Sequence, residues 1–198
     1  MNLKKYNVIK KYKHENGYIF TKDLSEENIS KHYLNEAVTY NGVERVAHGI
    51  YVLEDTIPDY YYILSIKNEK IIFSLESALY LNNLMEREPD IMTVTVPRGY
   101  NATHLRNKGV RVITKAKEVF ELGVTTVKTN LGNDARTYDL DKSICDLIKY
   151  KNKIDVQVFT YALKEYVKRM DKNLIKLIDY SKIMNIEDEV RKYLEVLL

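Results

Sequence analysis

Four histidines, one cysteine and a close pair of aspartates carry the most obvious chemistry in this 198-residue chain. His14, His32, His48 and His104 stand apart from one another, with no spacing that would gather a metal ion. Cys145 is alone, so neither a thiolate cluster nor a disulfide framework can form, and its neighbours Ile144 and Leu147 predict a buried thiol. Asp139-Leu140-Asp141 holds two carboxylates close together at the expected start of a helix. The helix dipole favours acids there, which makes capping a stronger reading than metal binding. No phosphate-cradling glycine loop, dinucleotide fingerprint, nucleophile elbow or zinc-protease motif occurs. The sequence thus predicts no catalytic residue, no cofactor and no metal; an enzyme is the minority reading.

A different chemistry is written at residues 31–39. At 100° per residue, Lys31, His32, Asn35 and Thr39 share a polar side with Glu36, while Tyr33, Leu34, Ala37 and Val38 cluster opposite. Lysine, histidine, asparagine and threonine can bond base edges or phosphate oxygens in a major groove. Glu36 is repelled by phosphate, although a glutamate can accept from a cytosine amine. Lys22 and Arg45 are expected on the DNA backbone, and His48 with Arg45 at a wing near a minor groove or the backbone. A second cationic stretch runs from Arg98 to Lys117 without an acid, and its Arg98, Arg106, Lys108, Arg111 and Lys115 would extend the charged footprint. Residues 1–53 are only mildly basic, with eight bases against six acids.

Any surface helix has a polar side, so the surrounding elements decide. The spacing of Leu3, Tyr6 and Ile9 predicts a helix over Asn2–His14. Gly17 breaks it, Tyr18-Ile19-Phe20 reads as extended, and Thr21 is the expected N-cap of a brief helix through Leu24. After a turn at Ser25–Asn28, a third helix is expected from about Ile29 to Tyr40, ended by Asn41-Gly42. Val43–Val46, a turn at Ala47-His48-Gly49, and Ile50–Leu53 read as a β-hairpin. Three helices and a terminal hairpin are the order of a winged helix-turn-helix, expected over residues 1–57.

Asp55–Pro58 reads as a linker into a second domain, 58–198. There the sequence predicts a Tyr-rich helix at 59–67, a strand at 71–73 and a helix at 74–84. Strands at 92–96, 111–114, 124–129 and 135–138 follow, and everything from Leu140 onward is helical, with Asp155, Asp171 and Asn185 as N-caps. The expected class is α+β: a winged helix-turn-helix, then a mixed α/β domain ending in a helical bundle.

Composition fits this reading. Apolar residues at 45% and charged residues at 30% suit a globular protein, and the net charge of +3 does not by itself indicate nucleic acid. The longest apolar stretch, about Tyr60–Ile66, is far short of the roughly 20 residues of a membrane helix, and the polar opening Met1–Lys5 lacks a secretory core. A cytoplasmic protein with no membrane partner is expected.

Four segments together resemble the AbiEi family, the antitoxins of bacterial abortive-infection toxin–antitoxin pairs. They are GYIFTKDL at Gly17–Leu24; VERVAHGIYVL at Val43–Leu53; the stretch from IIFSLESALYLNNL at Ile71 to TVTVPRGYN ending at Asn101; and KSICDLIKYKNKID at Lys142–Asp155, followed by ALKEYVKR and RKYLEVLL. They span nearly the whole chain in the family's order. The resemblance implies a winged-helix domain joined to an antitoxin domain, and autorepression through inverted repeats of double-stranded DNA in the operon's own promoter. It implies a nucleotidyltransferase-like toxin as partner, counteracted without a stable complex. Monomers binding cooperatively on the repeats fit a chain without a coiled-coil heptad or exposed apolar stripe. The alternative is a protein-interaction module whose winged helix is structural, a reading that Glu36 suits.

Overall fold

Gly17 sets the entry to the first sheet. Its φ is +86°, and a Cβ there would lie 2.3 Å from Thr56 Oγ1, so only glycine fits. The computed structural model describes residues 10–39 and 42–197. Those residues form a mixed α+β fold with two sheets, and the chain divides into two compact units, Met1–Leu64 and Ser65–Leu198.

In the first unit β1 (Tyr18–Phe20) leads directly into α1 (Thr21–Glu26), followed by α2 (His32–Thr39), β2 (Val43–Ala47) and β3 (Ile50–Leu53). The strands lie in the order β1-β3-β2, all antiparallel, with Ile19 and Arg45 both opposite Tyr51. Period-2 alternation gives the small sheet two apolar faces. Ile19, Val43 and Tyr51 pack on Leu24, Leu34 and Ala37 of the helices. Tyr18, Ile50 and Val52 face the other way and pack on Ile63 of α3 (Tyr60–Lys67). The Tyr18 hydroxyl also accepts from the Asp59 backbone N–H at 2.7 Å. The first unit therefore runs past the expected boundary at 57/58, because its sheet needs α3 to cover its second face.

Several boundaries differ from expectation for local reasons. The helix expected over Asn2–His14 falls mostly outside the described residues; within them Lys10 is helical, residues 11–12 turn, and His14 is not helical. Tyr40 and Asn41 also lie outside the described residues. Thr21 is the first residue of α1 rather than its cap; Phe20 occupies the cap position without a side-chain bond. α2 starts at His32, not near Ile29: Asn28 has φ +57°, and the Ser30 hydroxyl accepts from the His32 N–H at 3.2 Å.

The second unit contains β4 (Ile72–Phe73), α4 (Glu76–Leu81), β5 (Thr93–Pro97), α5 (Thr103–Arg106), β6 (Arg111–Lys115), α6 (Lys117–Glu121), β7 (Val124–Lys128) and β8 (Asp134–Tyr138). Next come α7 (Leu140–Lys149), a 3-10 turn (Lys151–Lys153), α8 (Val156–Lys168), α9 (Leu174–Ile183) and α10 (Glu187–Leu197). The sheet order is β6-β5-β4-β8-β7, with β5–β6 and β4–β8 parallel and the other pairs antiparallel. Phe73, Val94, Val96 and Ala135 are fully buried in it. α7 is the central helix, buried from Leu140 through Ile148.

Asp139 caps α7 by accepting from the Lys142 N–H, and Asp155 caps α8 by accepting from Gln157 and Val158. Asn173, not Asp171, caps α9, since Asp171 is held by Arg169 at 2.7 Å. Asn185 is not a cap for α10 either. It takes φ +54° at the end of α9, and the Ile186 N–H reaches back to the Ser181 carbonyl at 2.9 Å, a Schellman closure. The same device shortens the helix expected at 74–84: Asn83 has φ +58°, and the Leu84 N–H donates to the Leu79 carbonyl. Among the described residues no helix is long and apolar enough to cross a membrane.

Candidate nucleic-acid interface

Leu34 and Ala37 anchor α2 to the first unit's core, so the residues between them face outward. Lys31, His32, Asn35 and Thr39 are all exposed, and the helix brings them to one side. Lys31 stands in the turn just before the helix. His32 Nε2 lies 2.9 Å from Glu36 Oε1 across one helical turn. Thr39 Oγ1 donates to the Asn35 carbonyl at 2.9 Å, which leaves its lone pairs and methyl outward. Val38, expected on the buried side, is exposed. It lines an open cleft with Val43, Glu44, Arg45 and Glu54.

The hairpin turn carries the second group. A bulge between Arg45 and Ala47 re-aims the strand before the turn at His48-Gly49. Arg45 Nη2 donates to His48 Nδ1 at 3.1 Å, and both residues are exposed. A guanidinium only donates, so this bond requires Nδ1 as acceptor and leaves the imidazole proton on Nε2, available to a phosphate. Lys22, exposed on α1, sits 3.8 Å from Glu26.

The acid-free stretch 98–117 is contiguous in sequence and dispersed by the fold. Arg111 lies beside Thr93 and Lys115 beside Pro97, at opposite ends of the same parallel strand pair. At ~3.3 Å per residue those ends are about 13 Å apart. Arg98 is exposed at the Lys115 end, where its N–H donates to the Lys115 carbonyl. Arg106 and Lys108 are exposed on and after α5, in the crossover back to Arg111. Arg111 is occupied by Glu76, at 3.2 and 3.4 Å to the two carboxylate oxygens. Lys115 is turned inward: half-buried, it donates to the Tyr150 hydroxyl and lies 4.5 Å from that ring's centroid, and burial lowers its pKa. Lys115 and Arg111 are therefore not free members of one cationic strip.

Sequence reasoning passed over a group that the fold does assemble. Lys153 lies 5.8 Å from the Tyr150 ring on which Lys115 sits, and Lys151 lies 5.6 Å from the ring of Tyr193 on α10. The signal was present in the chain: Lys149, Lys151 and Lys153 alternate with Tyr150 and Asn152, with no acid from Leu147 to Ile154.

The reactive residues of the second unit are buried structural groups. Lys142 and Asp146 pair at 2.6 Å with side-chain exposures of 0% and 3%, and the ammonium lies 4.2 Å from the centre of the Tyr138 ring. Asp141 accepts from the Tyr166 hydroxyl at 2.9 Å and from the Asn173 N–H at 3.0 Å. Burial raises its pKa, and those two hydrogen bonds oppose the rise. Burial pushes the Cys145 thiol up to about 12, which makes it a poor nucleophile. Among the described residues no three His, Cys, Asp or Glu side chains are grouped to hold a metal.

No family model and no curated sequence matches the chain. Among solved structures, that of the RV2827C protein from Mycobacterium tuberculosis is similar, with a TM-score of 0.62 over 88% of this chain and 70% of that one. The sequences are 9% identical, so the likeness concerns the fold.

Proposed function

We propose that the first unit is a winged helix-turn-helix that reads duplex DNA, and that the chain is an antitoxin and autorepressor of the kind it resembles. α2 enters the major groove, and the β2–β3 turn lies against the backbone as the wing. The observation that carries this reading is the exposed set His32, Asn35 and Thr39 on one side of a helix whose opposite side is anchored by Leu34 and Ala37, with exposed Lys31 in the turn that leads into it. Asn35 supplies a bidentate partner for adenine, and Lys31 and the Arg45–His48 pair supply phosphate contacts. The bound DNA is the inverted repeat in the operon's own promoter, and the toxin counteracted is nucleotidyltransferase-like, as the AbiEi resemblance implies.

The cleft beside Val38 supports a second, narrower role. Val38, Val43, Glu44, Arg45 and Glu54 line it, two apolar side chains with charges of both signs and two acids to one base, a chemistry suited to a protein partner. The test is a salt titration of binding to the DNA upstream of the chain's own gene, on native and scrambled duplexes. Six to ten phosphate contacts give a slope of log K against log salt of roughly −5 to −9, with preference for the native duplex. Lys31→Ala/Asn35→Ala is expected to remove that preference. Equal, weak binding to both duplexes by the unsubstituted chain would refute the reading and leave the protein-interaction role.

A further inference from the structure

Two groups stand out among the described lysines of the second unit, beside others that bond carbonyls, as Lys149 does with Met184, or that meet a carboxylate and a ring together, as Lys142 and Lys176 do. One set lies on carboxylates: Lys128 on Asp134 at 2.8 Å and Lys168 on Glu165 at 2.6 Å. The other set, Lys115, Lys151 and Lys153, lies on the rings of Tyr150 and Tyr193. A ring orients an ammonium without pairing it to a carboxylate, so the contact does not neutralise the exposed Lys151 and Lys153, whereas burial lowers the pKa of Lys115 behind them. The platform is firm. Tyr193 packs edge-to-face on Phe159 at 5.3 Å, and the Tyr150 hydroxyl accepts from Lys115. Of the nearest acids in the chain, Asp146 is buried against Lys142, from where its charge also acts on Lys115, and Asp155 caps α8. Lys151 and Lys153 themselves are exposed in the 3-10 turn after α7.

We propose that the Lys151–Lys153 turn, with Lys115 behind it, is a second anchorage for the phosphate backbone of duplex DNA, independent of base sequence. The chemistry selects phosphate over bases. Ammonium groups are point charges without the planar fork that reads guanine. The tyrosine faces that would stack an unpaired base already carry lysines, which argues against a single-strand platform. The choice of duplex DNA as the polyanion rests on the reading of the first unit.

The experiment compares the full chain with Lys151→Gln/Lys153→Gln by salt titration on the native and scrambled duplexes, with Lys151→Arg/Lys153→Arg as the charge-retaining control. The double glutamine variant should bind both duplexes about tenfold more weakly near 0.1 M salt, with a slope shallower by about 2 and an unaltered preference. The arginine variant should keep the slope. Both lysines are exposed, so the unfolding midpoint serves as a check that the fold is intact. Unchanged affinity and slope overturn the proposal, as does a loss confined to the native duplex, which would make these lysines readers of sequence. If the unsubstituted chain shows no preference but the glutamine variant still weakens both duplexes, the first unit's reading falls and this anchorage stands.

Discussion

The same motif, a cation and a carboxylate one helical turn apart, occurs in both units in opposite surroundings. On α2 the pair is His32–Glu36, with side-chain exposures of 67% and 29%; on α7 it is Lys142–Asp146, sealed among Tyr138 and the sheet. An exposed pair is screened and contributes little to stability, so it can open when a partner arrives. A buried pair is desolvated on both sides, and removal of one member strands the other. Spacing alone does not tell a structural ion pair from a surface one; the faces of the two helices do. α7 is buried along nearly its whole length, whereas α2 buries only Leu34 and Ala37.

The largest test of this contrast is Lys142→Ala, expected to cost about 3–5 kcal/mol in urea unfolding, with Lys142→Met/Asp146→Leu recovering most of it. A loss below about 1 kcal/mol would erase the distinction between the two helices. Next, Asn35→Ala on the proposed reading helix should reduce discrimination between native and scrambled duplexes by about 1–3 kcal/mol and leave the unfolding midpoint in place. Retained preference would remove Asn35 from the reading face.

The third test uses Cys145 on α7. Its thiol titrates at about 12 in the folded protein against 9.0 for the free group, so above pH 9 the native state holds a proton that the unfolded state releases. Stability is therefore lost as pH rises from 9 toward 12. The part of that loss beginning near pH 9 should be absent in Cys145→Ala, as followed by thermal unfolding. The smallest stability change belongs to Glu36→Gln, within about 0.5 kcal/mol, since its pair with His32 is a surface one. The same change should tighten binding to both duplexes several-fold by removing a charge that repels phosphate. Weaker binding would place Glu36 on a cytosine instead.

Much of the fold was legible because its signals are local. The alternation of Thr93–Val96 became β5, and Asp139 and Asp155 cap α7 and α8, since those acids sit just before apolar-periodic runs. Asp171 and Asn185 show the limit: a cap-type residue near a helix start serves an ion pair in one case and a left-handed helix end in the other. The candidate site was legible where it is carried by one element. Lys31, His32, Asn35 and Thr39 needed only the helical period. Lys115 was not, because its direction depends on a sheet. It shares a face with Ile113, which packs in the core, so the face that buries one draws in the other. In the Lys115–Lys151–Lys153 grouping the run Lys149–Lys153 is local, but Lys115 comes from β6 and Tyr193 from α10, and nothing local links those two to the turn after α7.

The second face of the small sheet is covered by α3, a helix that begins within the first unit at Tyr60 and ends within the second at Lys67. The smallest piece that inheritance can shuffle intact is then not the one marked by Pro58. A gene fusion joined at that proline would graft a foreign domain onto a sheet with Tyr18, Ile50 and Val52 bare to water. A joint placed after Leu64 carries Tyr62 and Ile63 along with it, so recombination that preserves the module must cut beyond Ile63 rather than in the turn before the helix.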